Sequence, residues 1–139
     1  MMGKYDDILE SVYPKNSERI TKKRFKEFYT EMKLNKIKET MLAEELIDNA
    51  INSSCEDAVK IIQNSYNILS VKGKNLEVDG IMGEETIKAI NNYKNPLELF
   101  VWVNMNQFNY YKEHNASSSF MKEWINDKVI GQVKEYFKQ

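Results

Sequence analysis

Apolar residues recur along this chain at helical spacing, and the runs break where helix starts and stops are expected. Tyr5, Ile8, Leu9 and Val12 fall at i, i+3, i+4 and i+7, and Pro14 closes that run. Thr21 is placed to cap a second helix whose apolar face is Phe25, Phe28, Tyr29 and Met32. Ala43, Leu46, Ile47, Ala50 and Ile51 form the cleanest stripe, interrupted by Asn52-Ser53-Ser54. Ser54, with Asp57 three residues on, caps a helix carrying Ala58, Ile61, Ile62, Tyr66 and Leu69. Helix resumes at Glu84, and Pro96 suits the first turn of a long helix through Leu97, Phe100, Val101, Asn104, Phe108 and Tyr111. After a break at "NASSS" (115–119), Phe120, Trp124, Val129, Val133 and Phe137 run through a last helix. Only "SVKGKNLEVDGIMG" combines glycines with β-branched alternation, so a loop or short β-hairpin is expected near 71–82. The pattern predicts an all-α fold of six to seven helices.

Composition narrows the functions this fold serves. With 139 residues and no linker-like or low-complexity tract, the chain reads as one domain able to bury a core. A net charge of −1 lacks the basic excess of nucleic-acid binders, so no nucleic-acid partner is expected. A single cysteine, Cys55, excludes an intramolecular disulfide. The opening "MMGKYDDILE" has no apolar core of the signal-peptide kind, which leads us to expect a protein synthesised in the cytoplasm. No apolar run approaches the roughly 18 residues of a membrane span, so no membrane partner is expected.

Candidate chemistry is sparse. His114 is the only histidine, so a nucleophilic triad has no second one to draw on, and Cys55 pairs with it only if the fold brings them together. Clusters at metal-ligand spacing and phosphate-cradling glycine loops are absent, so neither a metal nor a cofactor is expected. Glycoside hydrolysis needs carboxyl groups placed beside a sugar cleft. Acids are plentiful, among them Glu10, Glu18, Glu44, Glu45 and Asp57, but acids on helices usually face solvent. Asp48 differs, because it lies beside the apolar stripe between Ile47 and Ala50, with Asn52 four residues on. At such a position an Asp either bonds a neighbouring backbone or helix end, or serves a ligand.

"VDGIMGEETIKAI" (78–90) reads as a tight loop feeding a helix. Asp79 can accept loop N–H bonds, Gly80 and Gly83 can take positive φ, and Glu84 and Glu85 favour the helix N-terminus. Loop-to-helix structure accounts for the whole motif, Thr86 included.

The run from Ala58 through "KIIQ" to this motif resembles a peptidoglycan-binding half-domain, in which a helix ending in Leu-Gln precedes a Val-Asp-Gly-x-x-Gly-x-x-Thr segment. More closely, the order of features resembles glycoside hydrolase family 108, the N-acetylmuramidases of phage endolysins. Ile47-Asp48-Asn49-Ala50-Ile51-Asn52 stands for its Phe-Asp-x-Ala-Val-Asn, Asp79, Gly80, Gly83 and Thr86 match in full, and Tyr110-Tyr111 precede Phe120 and Trp124 near the end. The resemblance implies one lysozyme-like, muramidase-related domain over 1–139, with a catalytic half at 1–53 and a peptidoglycan-binding-like half at 54–139. It also implies a glutamate in a Glu-Gly-Gly-Tyr segment after the first helix, where this chain has Asn16-Ser17-Glu18 and lacks the glycine-rich loop that should follow. Asn16 has no proton to give a glycosidic oxygen. Asp127 replaces an arginine and Ser54 a glycine.

The expectation is therefore a degenerate, non-lytic muramidase-like protein acting as a structural or interaction component, associated with phage virions or tails through partner structural proteins. The alternatives are a peptidoglycan-binding module, or an active muramidase using a non-standard acid. No catalytic residue is expected, with Glu18 and Asp48 the nearest candidates. Asp48, Asn52, Tyr111 and Trp124 are the candidate ligand-binding residues, and Trp102 and Tyr110 are further aromatics able to stack on sugars if exposed.

Overall fold

The structure is a computed structural model that describes residues 3–70, 75–114 and 117–138, with Ser118 described by its backbone alone. Its elements are α1 (Lys4–Val12), α2 (Lys22–Glu31), α3 (Thr40–Asn52), α4 (Cys55–Leu69), α5 (Glu84–Asn92), α6 (Pro96–Glu113), α7 (Ser118–Trp124) and α8 (Gly131–Phe137). A π-helical segment, Ile125–Ile130, joins α7 to α8, so these three form one continuous helical arm. The fold is all-α, and no strand occurs among the described residues.

The ends form for the reasons the sequence suggests. Thr21 Oγ1 accepts from the Arg24 N–H, Ser54 Oγ from Asp57, and Asn95 Oδ1 from Glu98, each satisfying a donor with no partner inside its helix. Pro14 starts a 3₁₀ turn (Tyr13–Asn16) that ends α1. This turn matters for the site, because it carries Asn16 inward to 4 % exposure.

The hairpin expected near 71–82 does not form over the described part, 75–82; residues 71–74 lie outside the described residues. Side chains take the place of a ladder. Asn67 donates to the Leu76 carbonyl at 2.8 Å and accepts from the Leu76 N–H at 2.7 Å, tying the extended chain to α4. Of the break at 115–119, residues 115 and 116 also lie outside the described residues.

α3 is the central helix and packs against α1, α2, α4 and α6. One apolar cluster runs through the molecule and includes Ile8, Phe25, Leu34, Ile47, Ile62 and Phe100. Each such fully buried side chain contributes roughly 1.5–3 kcal/mol of transfer free energy. Because α3 is enclosed on most sides, two of its polar residues, Glu45 and Asn49, are also buried, each at 1 % exposure.

Candidate functional site

Two polar clusters stand out, and the first explains the 78–90 motif. Gln63, on α4, is buried and all of its side-chain bonds reach into the loop. Its Nε2 donates to Asp79 Oδ1 (3.0 Å), the Ile81 carbonyl (3.1 Å) and Thr86 Oγ1 (3.1 Å), while its Oε1 accepts from the Gly80 N–H (3.0 Å). Asp79 Oδ1 also accepts from the Ile81 N–H at 2.9 Å. That backbone bond, followed by the one from Gln63, holds the Asp79 carboxyl below its usual value.

The two glycines of the motif differ. Gly80 has φ +76°, and a Cβ there would lie 2.5 Å from Glu56 Cγ and 3.0 Å from the Glu56 carbonyl oxygen. Gly83 has φ −90° and ψ 178°, with nothing within 4 Å of a Cβ. The expectation of positive φ at both glycines is thus corrected. Gly83 serves as the extended N-cap of α5, which many residues can adopt.

The second cluster lines a groove of about 790 Å³ between the α1 end with its 3₁₀ turn, α3, and the α7–α8 arm. Asp48 lies between the first half and the arm. Its Oδ1 accepts from Asn16 Nδ2 at 3.1 Å, and its Oδ2 pairs with Lys128 Nζ. Asn16 Nδ2 also donates to the Val12 carbonyl at 2.9 Å, which ends α1 and orients the amide at once. Lys128 Nζ further contacts Glu45 at 3.0 Å and stands 5.8 Å from the Trp124 ring centre. The Glu45 contact is one of charge and not an aligned hydrogen bond.

Burial pushes the Glu45 carboxyl above the usual range, and Lys128 opposes it in part. Burial works against the Lys128 ammonium, but Glu45 and Asp48 together outweigh it and hold the amine above the usual lysine value. The π-helical segment carries Asp127 and Lys128, and such segments recur at functional sites because they re-aim the side chains that follow.

The structure gathers some of the sequence candidates and separates others. Asp48, Asn52 and Trp124 line the groove, and Asn52 accepts a hydrogen bond from Arg19. Tyr111 is buried behind Trp124, its ring edge-on at 5.4 Å and its hydroxyl accepting from Gln107 at 2.9 Å. Trp124 itself is only 8 % exposed, and its indole N–H has no acceptor. Trp102 is half-buried. Tyr110, also half-buried, donates from its hydroxyl to Asp57 and stacks on His114 at 4.0 Å, so none of these rings is an open platform for a sugar. Glu18 is exposed and outside the groove lining.

Cys55 does not meet His114: the thiol is buried, and burial followed by Glu31 pushes it up to about 12, while the exposed His114 stacks on Tyr110. Among the described residues no group of three or more His, Cys, Asp or Glu is placed to hold a metal ion, and no helix is long and apolar enough to cross a membrane.

Lys128 and Glu45 are the site residues that sequence reading missed. Glu45 carried a usable signal, since Leu42, Ala43, Leu46 and Ile47 surround it on a helix with little polar face. Lys128 had none, because it reaches α3 from eighty residues away by tertiary folding.

Comparison with known families agrees with the loop geometry. Residues 57–129, more than half of the chain, match the family described as "Predicted Peptidoglycan domain"; that span contains the Gln63 cluster, Trp124 and Lys128. No curated protein and no solved structure matches the chain. The chain belongs to the predicted peptidoglycan domain family.

Proposed function

We propose that this protein is a non-lytic peptidoglycan-binding protein that holds wall polymer in the groove around Asp48. The observation that carries this reading is the state of Asp48. Both of its oxygens are engaged, by Asn16 and by Lys128, at the base of an open groove of about 790 Å³. A retaining or inverting glycosidase needs one carboxyl group free to give a proton and a second free to attack or to activate water. Both Asp48 oxygens are taken up by neighbours, and Glu45 sits behind Lys128 with no route to a substrate except through it. Glu44 has one oxygen bonded by the Ser11 hydroxyl. Glu123 and Asp127, unpaired among the described residues, are solvent-exposed on the arm, and Glu18 lies away from the groove. What remains is a cleft with hydrogen-bonding walls, suited to holding a polymer.

Purified sacculi test the two parts of this reading together. The protein is expected to pellet with them at low salt and to produce no clearing on a cell-wall zymogram. Protein remaining in the supernatant removes the binding role; clearing that disappears in Glu18→Gln or Asp48→Asn replaces it with an active muramidase. The resemblance to phage lysins favours a narrower home, a virion or tail component that grips wall without cutting it. Its absence from purified particles would remove that narrower reading.

A further inference from the structure

The exposed charges on the two facing walls of the groove differ in sign. Asp48 is neutralised from within by Lys128, while Glu44, on α3, keeps its charge and has one oxygen bonded by the Ser11 hydroxyl. The remaining charges are segregated by element. The first-half wall carries Lys15 and Arg19, and the arm carries Glu123, Asp127 and Glu135. Among the described residues, Lys15, Glu123 and Asp127 have no ion-pair partner, and Glu135 has only Lys138, at 3.6 Å.

A neutral glycan has no use for cations on one wall and carboxylates on the other. A ligand bearing both a free amine and free carboxylates does, and like-sign alternatives are repelled by one wall. Two unpartnered groups in the same lining extend the match. The Trp124 indole N–H, on a side chain more than nine-tenths buried, lacks an acceptor, and Gln132 Oε1 lacks a donor. Both atoms are closed to solvent as the groove stands, so a peptide C=O or N–H meets them only when these side chains turn outward.

We infer that the groove recognises the peptide stem of peptidoglycan, a short zwitterionic peptide with its carboxylates towards Lys15 and Arg19 and its amine towards Glu123 and Asp127. This inference rests on the binding role proposed above and names the part of the polymer that is held.

The test uses the full chain and three preparations of the same sacculi, each fixed to beads so that all of them sediment: intact fragments, glycan strands stripped of stem peptides by an amidase, and fragments with the stem amines acetylated. The expected result is pelleting with intact sacculi and a loss of about tenfold or more on stripped glycan, since several contacts disappear together. Acetylation is expected to weaken binding about fivefold, the scale of an exposed ion pair. The double variant Glu123→Gln/Asp127→Asn is expected to bind intact sacculi as weakly as the wild type binds acetylated ones, and to show no further loss on acetylation. Both positions are exposed, so an unchanged circular dichroism melt is expected to accompany that loss. Equal binding to intact and stripped sacculi overturns the inference while leaving the binding role standing. Acetylation without effect overturns the arm's assignment to the amine. Failure to bind intact sacculi overturns both the inference and the role.

Discussion

The Gln63 cluster and the Asp48 cluster are both polar, both anchored by buried side chains and both built across elements, yet they are finished to different degrees. Every polar atom of the Gln63 amide has a partner within 3.1 Å, and its partners are loop groups whose only task is to turn the chain into α5. The Asp48 cluster is charged where the other is largely neutral, opens onto a groove, and leaves the Trp124 N–H and Gln132 Oε1 unpartnered. A saturated cluster has nothing left to offer a ligand, so it acts as a joint. An unsaturated one beside open volume holds bonding capacity that a ligand can complete.

The contrast is easiest to break at Lys128. Lys128→Met leaves the buried Glu45 carboxyl and the half-buried Asp48 without their cation, and is expected to destabilise the fold by about 3–5 kcal/mol in urea unfolding. Adding Glu45→Met removes the buried carboxyl, and most of that loss should return. Because Lys128 is held above the usual lysine value of 10.5, the stability its ammonium contributes is fully present below that pH and disappears as pH rises through the raised value. The gap between wild type and Lys128→Met should therefore be constant through neutral pH and close in strong alkali.

At the saturated cluster, Gln63→Leu leaves the buried Thr86 hydroxyl and the half-buried Gly80 N–H without the Gln63 amide, with an expected loss of about 1–3 kcal/mol. Its effect on pelleting with sacculi should be small at temperatures where the protein stays folded. A large binding defect there would move the site to the 78–90 loop. The glycines give the finest comparison. Gly80→Ala meets both a left-handed φ and the Glu56 backbone, and should cost about 2 kcal/mol. Gly83→Ala, at ordinary φ and in open space, should cost less, about 0.5–1 kcal/mol, the preference for glycine over alanine at an N-cap.

These differences also mark what could be read from the sequence. The helices were legible because their apolar periods and caps are local, down to Thr21, Ser54 and the proline turn that ends α1. The 78–90 motif was legible as a loop-to-helix joint, but its hub was not, since one-dimensional spacing does not say that Gln63 turns inward. Reading 71–82 as a possible hairpin followed from β-branched alternation; over 75–82, bonds from Asn67 and Gln63 took up backbone groups that a partner strand would have used. Asp48 was singled out correctly as a residue beside the core stripe, while its partner Lys128 was invisible because nothing in the sequence sets the tertiary docking of the arm. Trp124 and Tyr111 looked like sugar platforms by residue type, yet they pack edge-on against each other.

The central claim is that the groove holds wall polymer without cutting it, and Gly131 offers the most direct test. Gly131 lines the groove on α8, and a Cβ placed there meets nothing within 4 Å, so Gly131→Trp adds bulk to the groove wall without a clash at the helix. The measurement is co-sedimentation of wild type and Gly131→Trp with purified sacculi, with reducing sugar released into the supernatant measured in the same tubes. The account predicts that wild type pellets, that Gly131→Trp stays in solution with an unchanged melting temperature, and that neither releases sugar. Equal pelleting of the two proteins, or sugar release by the wild type, would contradict it.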